Sequence, residues 1–257
     1  MSLLLNGDCL EQLLQIDDDS IDFIFCDLPY GQTSCKWDII IPWEPFWKEI
    51  MRVKKLHTPV FFTTTTKFGV ELINSSPKKM PFRYDLVWVK TTCAGFLSAK
   101  KMPMRKHEMV YCFYEKLPFY DLSSHKHRFI KPNPLPNSVV KEEKNTHYNT
   151  NRITYVDENG NKIKEGQSGG DQNKYDPPLP TTMLEIKSTR GNHSTEKPVA
   201  LMEWLLKYYS KEGDTVLDPT MGSGSTGVAC KNMNRNFIGI EKDSEIYDIA
   251  VNRIESN

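Results

Sequence analysis

The chain has 257 residues, 26% of them charged, and its 33 basic and 33 acidic side chains cancel to a formal net charge of zero. That length suits one α/β domain with an insertion and a sizeable core. No run approaches the roughly twenty apolar residues of a membrane span, the start lacks a signal-peptide pattern, and the six cysteines form no C-x-x-C pair. A membrane protein and a secreted disulfide scaffold are therefore not expected; a cytoplasmic protein with free thiols and no metal is. The neutral total conceals a local bias. Residues 1–50 hold ten acidic side chains against two basic ones, whereas residues 100–131 hold eight Lys or Arg against Glu108, Glu115 and Asp121.

In chain order, residues 3–5 form a short apolar strand that stops at Asn6-Gly7-Asp8, and Asp8 is placed to cap a helix from Cys9 to about Leu14. Residues 21–26 are apolar except for Asp22 and run into Asp27-Leu28-Pro29-Tyr30-Gly31, which reads as a buried strand ending in a tight turn. The carboxyl end of a strand is where ligands sit in an open α/β sheet. This turn offers a carboxylate (Asp27), a carbonyl kept out of any helix by the Pro that follows (Leu28), and an aromatic face (Tyr30). Those parts suit a flat ring with an exocyclic amine; a plain strand-ending turn is the bland alternative.

Residues 32–43, with Trp37-Asp38, could lie as a flap over a cleft, and a helix follows over 44–53 with Pro45 in its first turn. Strands are expected at 59–65, 84–89 and 107–114, a short helix at 68–73, and a loop at 90–106. Periodicity largely disappears over 115–189, a stretch rich in Pro, Asn, Lys, His and Tyr that contains the turn signal Glu158-Asn159-Gly160. Order returns with His193-Ser194-Thr195-Glu196-Lys197-Pro198 ahead of a helix over 199–209, with Ser194 or Thr195 as its cap.

A strand over 215–217 then delivers Asp218-Pro219-Thr220-Met221-Gly222-Ser223-Gly224-Ser225-Thr226-Gly227 and a helix to about Asn232. Glycines let the backbone turn sharply and approach a ligand with a helix N-terminus behind it. Gly222, Gly224 and Gly227 also spell the dinucleotide fingerprint, but only about thirty residues remain after it, too few for the second βαβ half. Residues 237–240 form a strand ending at Glu241, an acid placed to accept hydrogen bonds from ribose hydroxyls, and 243–253 closes the chain as an amphipathic helix.

Asp27 to Tyr30 resembles motif IV, usually Asp-Pro-Pro-Tyr, of the DNA amino-methyltransferases, which methylate N6 of adenine or N4 of cytosine with S-adenosylmethionine. Leu28 departs from the family's first Pro yet can supply the same main-chain carbonyl, with some loss of rigidity. His107-Glu108 resembles motif VIII, residues 193–198 resemble motif X, and the glycine loop resembles motif I. Their order along the chain is similar to that of the β class. The resemblance implies a Rossmann-like methyltransferase sheet, mostly parallel with helices on both faces, built from residues 1–114 and 190–257, with an irregular target-recognition insertion at 115–189.

It further implies catalytic roles for Asp27, Leu28, Pro29 and Tyr30. Cofactor contacts are implied for Asp8, Cys9, Thr195, Lys197, Asp218, Pro219, Gly222, Ser223, Gly224, Thr226 and Glu241. In motif X the Lys stands beside the methionine end of S-adenosylmethionine, where its charge would suit a carboxylate. Double-stranded DNA becomes the expected partner, contacted by Lys100, Lys101, Arg105, Lys126, Arg128 and Lys131. By its own residues, the 90–106 loop could follow phosphates and press Phe96 against DNA; a solvated loop is the alternative. A homodimer and a cognate restriction enzyme are further partners that the resemblance allows. Asp at the first motif position favours N6 of adenine; methylation of cytosine N4 and a catalytically silent DNA-binding module on the same fold are the alternatives.

Overall fold

The computed structural model describes residues 1–32, 35, 38–127, 139–145, 150–156, 162–164, 175–188 and 196–256, and gives the backbone alone at 127, 139–145, 150–156 and 162–164. In chain order the elements are β1 (Ser2–Asn6), α1 (Cys9–Gln12), β2 (Phe23–Cys26), α2 (Trp43–Val53), β3 (Val60–Thr64), α3 (Thr66–Ser75), β4 (Phe82–Ala94) and β5 (Arg105–Phe113). Then come β6 (Lys126–His127), β7 (Val139–Asn145), β8 (Thr150–Val156), β9 (Lys162–Lys164), β10 (Tyr175–Asp176) and β11 (Met183–Leu184). The chain closes with α4 (Val199–Tyr209), β12 (Thr215–Asp218), α5 (Ser225–Asn232), β13 (Asn236–Glu241) and α6 (Ser244–Ser256).

Two compact units result: Met1–Asp121 with Thr181–Asn257, and Leu122–Pro180. The first contains an eight-stranded sheet in the order β1-β13-β12-β2-β3-β5-β4-β11. Five of its seven pairings are parallel, and β5 runs antiparallel to both β3 and β4. A fully buried strand must be apolar on both faces, and β2 shows why the sheet has two cores. Phe23 and Phe25 pack with Leu201, Leu205, Val228 and Ile254 of α4, α5 and α6, whereas Ile24 and Cys26 pack with Leu13, Phe46, Ile50 and Phe68 on the α2 and α3 side. The alternation of side chains along one strand thus fixes helices on both faces.

This topology brings distant residues to one sheet edge. β1, β13, β12, β2 and β3 are mutually parallel, so Asn6, Glu241, Asp218, Cys26 and Thr64 end together. At that edge Thr64, the last residue of β3, stands opposite Met109 of β5, and Trp88 of β4 stands opposite Glu108, while β4 and β5 both run on past it.

Three expectations change. Residues 90–94 continue β4, with Ala94 opposite Arg105, so the expected loop is the outer part of a long hairpin held by backbone pairing rather than by burial. Residues 115–189 are not irregular throughout, because β7, β8 and β9 form an antiparallel meander and β6 pairs with β10. In the sequence these strands carry the β-formers Val139, Val140, Ile153, Tyr155 and Val156 among Lys, Glu and Asn, which mask the pattern. Glu158-Asn159-Gly160 lies outside the described residues, between β8 and β9. Finally, the chain rejoins the main sheet at β11, where Met183 and Leu184 pair with Val87 and Trp88, so the sheet-forming part resumes before residue 190. Among the described residues no helix is long and apolar enough to cross a membrane.

Candidate active site

At the end of β2, Asp27 is held by three side chains, those of Lys197, Thr63 and its own turn's Tyr30. Its Oδ2 accepts from Lys197 Nζ, just ahead of α4, at 2.6 Å. Its Oδ1 accepts from Thr63 Oγ1 of β3 and lies 3.2 Å from the Tyr30 hydroxyl. That hydroxyl is also 3.2 Å from Glu108 Oε1 of β5, so its single proton serves either carboxylate. Glu108 in turn pairs with Lys90 of β4 and stands 3.4 Å from Lys197. Two carboxylates and two ammonium groups therefore alternate around one phenol.

The electrostatics follow from that alternation. Burial would raise the Glu108 carboxyl, but the cations of Lys197 and Lys90 outweigh it and hold the group below its ordinary value. Burial would likewise lower Lys197, but Asp27 and Glu108 raise it. The Tyr30 phenol is pushed well up by burial and by the two carboxylates, so it stays protonated. Its ring lies against Phe68, with centroids 4.9 Å apart, which fixes its plane. Leu28 is buried, and among the described residues no protein donor reaches its carbonyl. The neighbouring Gly31 and Gln32 amides donate to Asp38 at 2.7 and 2.8 Å, which ties down the turn.

At the end of the neighbouring β12, Asp218 has different company. Thr226 Oγ1 donates to it at 2.6 Å and the Thr220 amide at 3.1 Å, and among the described residues it has no ion-pair partner. Burial raises its carboxyl to about 7 against those two hydrogen bonds, with smaller contributions from Asp27 and Glu241. Thr220 Oγ1 is enclosed, and among the described residues it has no hydrogen-bond partner. Gly222 has φ +52°, a conformation that favours glycine, and a Cβ there would project into open space. Its amide donates at 3.0 Å to Glu241 Oε2, while the Asp243 amide donates to Oε1 at 2.8 Å. Gly227 serves packing instead, since a Cβ would stand 2.4 Å from Ile254.

A buried carboxylate without a cation, an orphaned hydroxyl and a close-approach glycine fit a ligand that carries an ammonium group and hydroxyls. The residues present thus suit S-adenosylmethionine. Asp8 caps α1 through the Leu10 amide and pairs with Lys242 at 3.0 Å. Cys9 is buried, and burial and Asp8 push its thiol up to about 12, so it is a packing group rather than a nucleophile. Pro219, Ser223 and Gly224 lie in the glycine loop, where Arg253 of α6 holds Ser223 Oγ at 3.1 Å and Glu196 at 2.7 Å.

Lys197, expected at a cofactor carboxylate, pairs with Asp27 at 2.6 Å and stands 3.4 Å from Glu108. Lys100, Lys101 and Arg105 are exposed on the β4–β5 hairpin, and Lys126 is exposed in the second unit. Ser194, Thr195, Arg128, Lys131 and Trp37 lie outside the described residues. The helix cap expected at Ser194 or Thr195 is not needed for α4, whose N-cap position is Pro198 with no side-chain bond. Sequence reasoning passed over Thr63, Lys90, Thr220, Glu196 and Arg253. Thr63 had one signal, a run of four Thr directly after the apolar Phe61-Phe62.

The model of the N6/N4 DNA methylase family matches residues 21–252. M.HinfI, a type II methyltransferase of Haemophilus influenzae, is 26% identical over 99% of this chain and 68% of its own length. The DNA adenine methyltransferase YhdJ of Escherichia coli K12 is 27% identical over 98% of this chain and 82% of its own. Among solved structures, the M1.HpyAVI complex with S-adenosylmethionine superposes with TM-score 0.62 at 20% identity, covering 98% of this chain and all of the other. The cytosine-N4-specific PvuII DNA methyltransferase gives 0.63 at 14% identity, covering 98% and 86%, so the fold is common to both. The chain belongs to the N6/N4 DNA methylase family of S-adenosylmethionine-dependent amino-methyltransferases.

Proposed function

We propose that this chain transfers a methyl group from S-adenosylmethionine to N6 of adenine in double-stranded DNA. The observation that carries the reading is the meeting of two strand ends, Asp27 after β2 and Asp218 after β12, on neighbouring parallel strands. The adenine assignment is supported by Asp at the head of the Asp27-Leu28-Pro29-Tyr30 turn and by the similarity to YhdJ.

Asp218 takes the ammonium of the cofactor's methionine end, Glu241 the ribose hydroxyls, and the glycine loop the close backbone approach, with Asp8 and Cys9 at the adjoining strand end. When bound, S-adenosylmethionine supplies an electrophilic methyl on a positively charged sulfur. Asp27 Oδ1 accepts from Thr63 and lies within reach of the Tyr30 hydroxyl, while among the described residues Oδ2 accepts only from Lys197 and keeps one acceptor position. That position and the free Leu28 carbonyl grip the two N–H bonds of an amino group, orient the nitrogen lone pair towards the methyl carbon, and hold the proton that leaves. Tyr30, fixed by Phe68 and two carboxylates, is the stacking surface for the extruded base. Pro29 keeps the carbonyl aimed outward. Positioning, rather than a covalent intermediate, supplies the rate.

In the second unit, Lys126 with Arg128 and Lys131 contributes to target recognition, as does the basic hairpin in the first. A homodimer and a cognate restriction enzyme belong to the same reading; light scattering and protection of methylated DNA from cleavage test them. Nucleoside mass spectrometry of DNA incubated with labelled S-adenosylmethionine tests the activity. N6-methyladenine supports it, N4-methylcytosine transfers the site to the other amine, and no methylated base refutes it.

A further inference from the structure

The β4–β5 hairpin overhangs the edge on which Asp27 and Thr63 sit. β3 stops at Thr64 opposite Met109, but the hairpin continues through Val89 opposite His107 and Ala94 opposite Arg105 to a tip at residues 95–104. Along β5 the overhang from Glu108 to Arg105 is three residues, roughly 10 Å at the usual rise per residue, with the tip beyond it. At its tip Gly95 takes φ +91° and presents Phe96, 81% exposed, and Leu97, 100% exposed. Met102 and Met104 beside them are also exposed. Residues 90–106 contain Lys90, Lys100, Lys101, Arg105 and Lys106 and no acidic residue. Lys90 is engaged by Glu108 at the base, and the other four are exposed.

An apolar tip ringed by cations alone suits neither bulk water nor a neutral protein face. It does suit duplex DNA, whose phosphates match the charges and whose base steps accept an apolar wedge. The chemistry requires such a device, because N6 of a paired adenine is engaged in the base pair and must be drawn out to reach Asp27. Resting on the methyltransferase reading above, we propose that Phe96 and Leu97 enter the base stack beside the target pair, while Lys100, Lys101, Arg105 and Lys106 clamp the flanking phosphates. The hairpin whose base carries Lys90 and Glu108 thereby links opening of the pair to the site that receives the base.

The test uses the full chain and F96A/L97A on a synthetic duplex selected from random sequences by its affinity for the unaltered chain. Three quantities are read: affinity, permanganate oxidation of unstacked thymines, and methylation. In the variant, thymine reactivity should disappear and methylation fall at least tenfold, affinity should fall by less than that, and a mismatch at the target base should restore methylation. Unchanged reactivity and methylation would overturn the wedge, as would an equal loss on paired and mismatched duplexes. Self-association lost in the variant, with DNA opening intact, would overturn it in favour of a second copy as the occupant. Opening by the unaltered chain without methylation supports the wedge and refutes the enzymatic reading; methylation without opening does the reverse.

Discussion

At the end of β2 four charges close on one another, whereas at the end of β12 a buried carboxylate meets, among the described residues, only hydroxyl and amide donors. The first cluster balances two acids with two lysines, and its charges support each other despite burial. Among the described residues the second lacks a cation, and burial raises the Asp218 carboxyl to about 7. A balanced cluster is already organised for a neutral amine, while an unbalanced one is completed by a ligand that brings its own positive charge.

The sharpest way to break this contrast is D27A, which should lower single-turnover methyl transfer by about a thousandfold, the scale of losing the acceptor that orients the reacting nitrogen. K197M leaves Asp27 and Glu108 facing each other with one lysine fewer, and should lower transfer by about a hundredfold with cofactor affinity unchanged. Loss of cofactor affinity in K197M would place the lysine in the other half of the comparison.

A third prediction concerns pH. Below about 7 Asp218 is protonated and no longer attracts an ammonium group, so cofactor affinity should fall by about tenfold per pH unit as the pH drops, and D218N should show no such slope. The smallest expected effect is on stability. Because Asp218 titrates higher folded than unfolded, its ionisation weakens the fold as pH rises from about 4 through about 7. D218N should therefore melt a few degrees higher than the unaltered chain at pH 8, with little difference at pH 4. Equal melting at pH 8 would mean that Asp218 already has a cation.

Much of this was legible in the sequence because it is local. The Asp27 turn follows its own strand, the glycine loop follows β12, and Glu241 ends β13, so each could be found by pattern and spacing. Thr63, Lys90 and Glu108 become neighbours only through the order β2-β3-β5-β4, which no local string encodes. Lys197 could be read as a cation at a helix start, but its partner stands 170 positions away. The outer part of β4 was missed because Thr91, Thr92 and Cys93 are exposed and carry no apolar alternation, and β7–β9 because their apolar residues are diluted by charged ones.

Calorimetric titration of S-adenosylmethionine into D27A and D218N, side by side with the unaltered chain, tests the division of labour most directly. The account predicts unaltered affinity in D27A and a loss of about a hundredfold in D218N. Equal weakening in both, or full affinity in D218N, would contradict it.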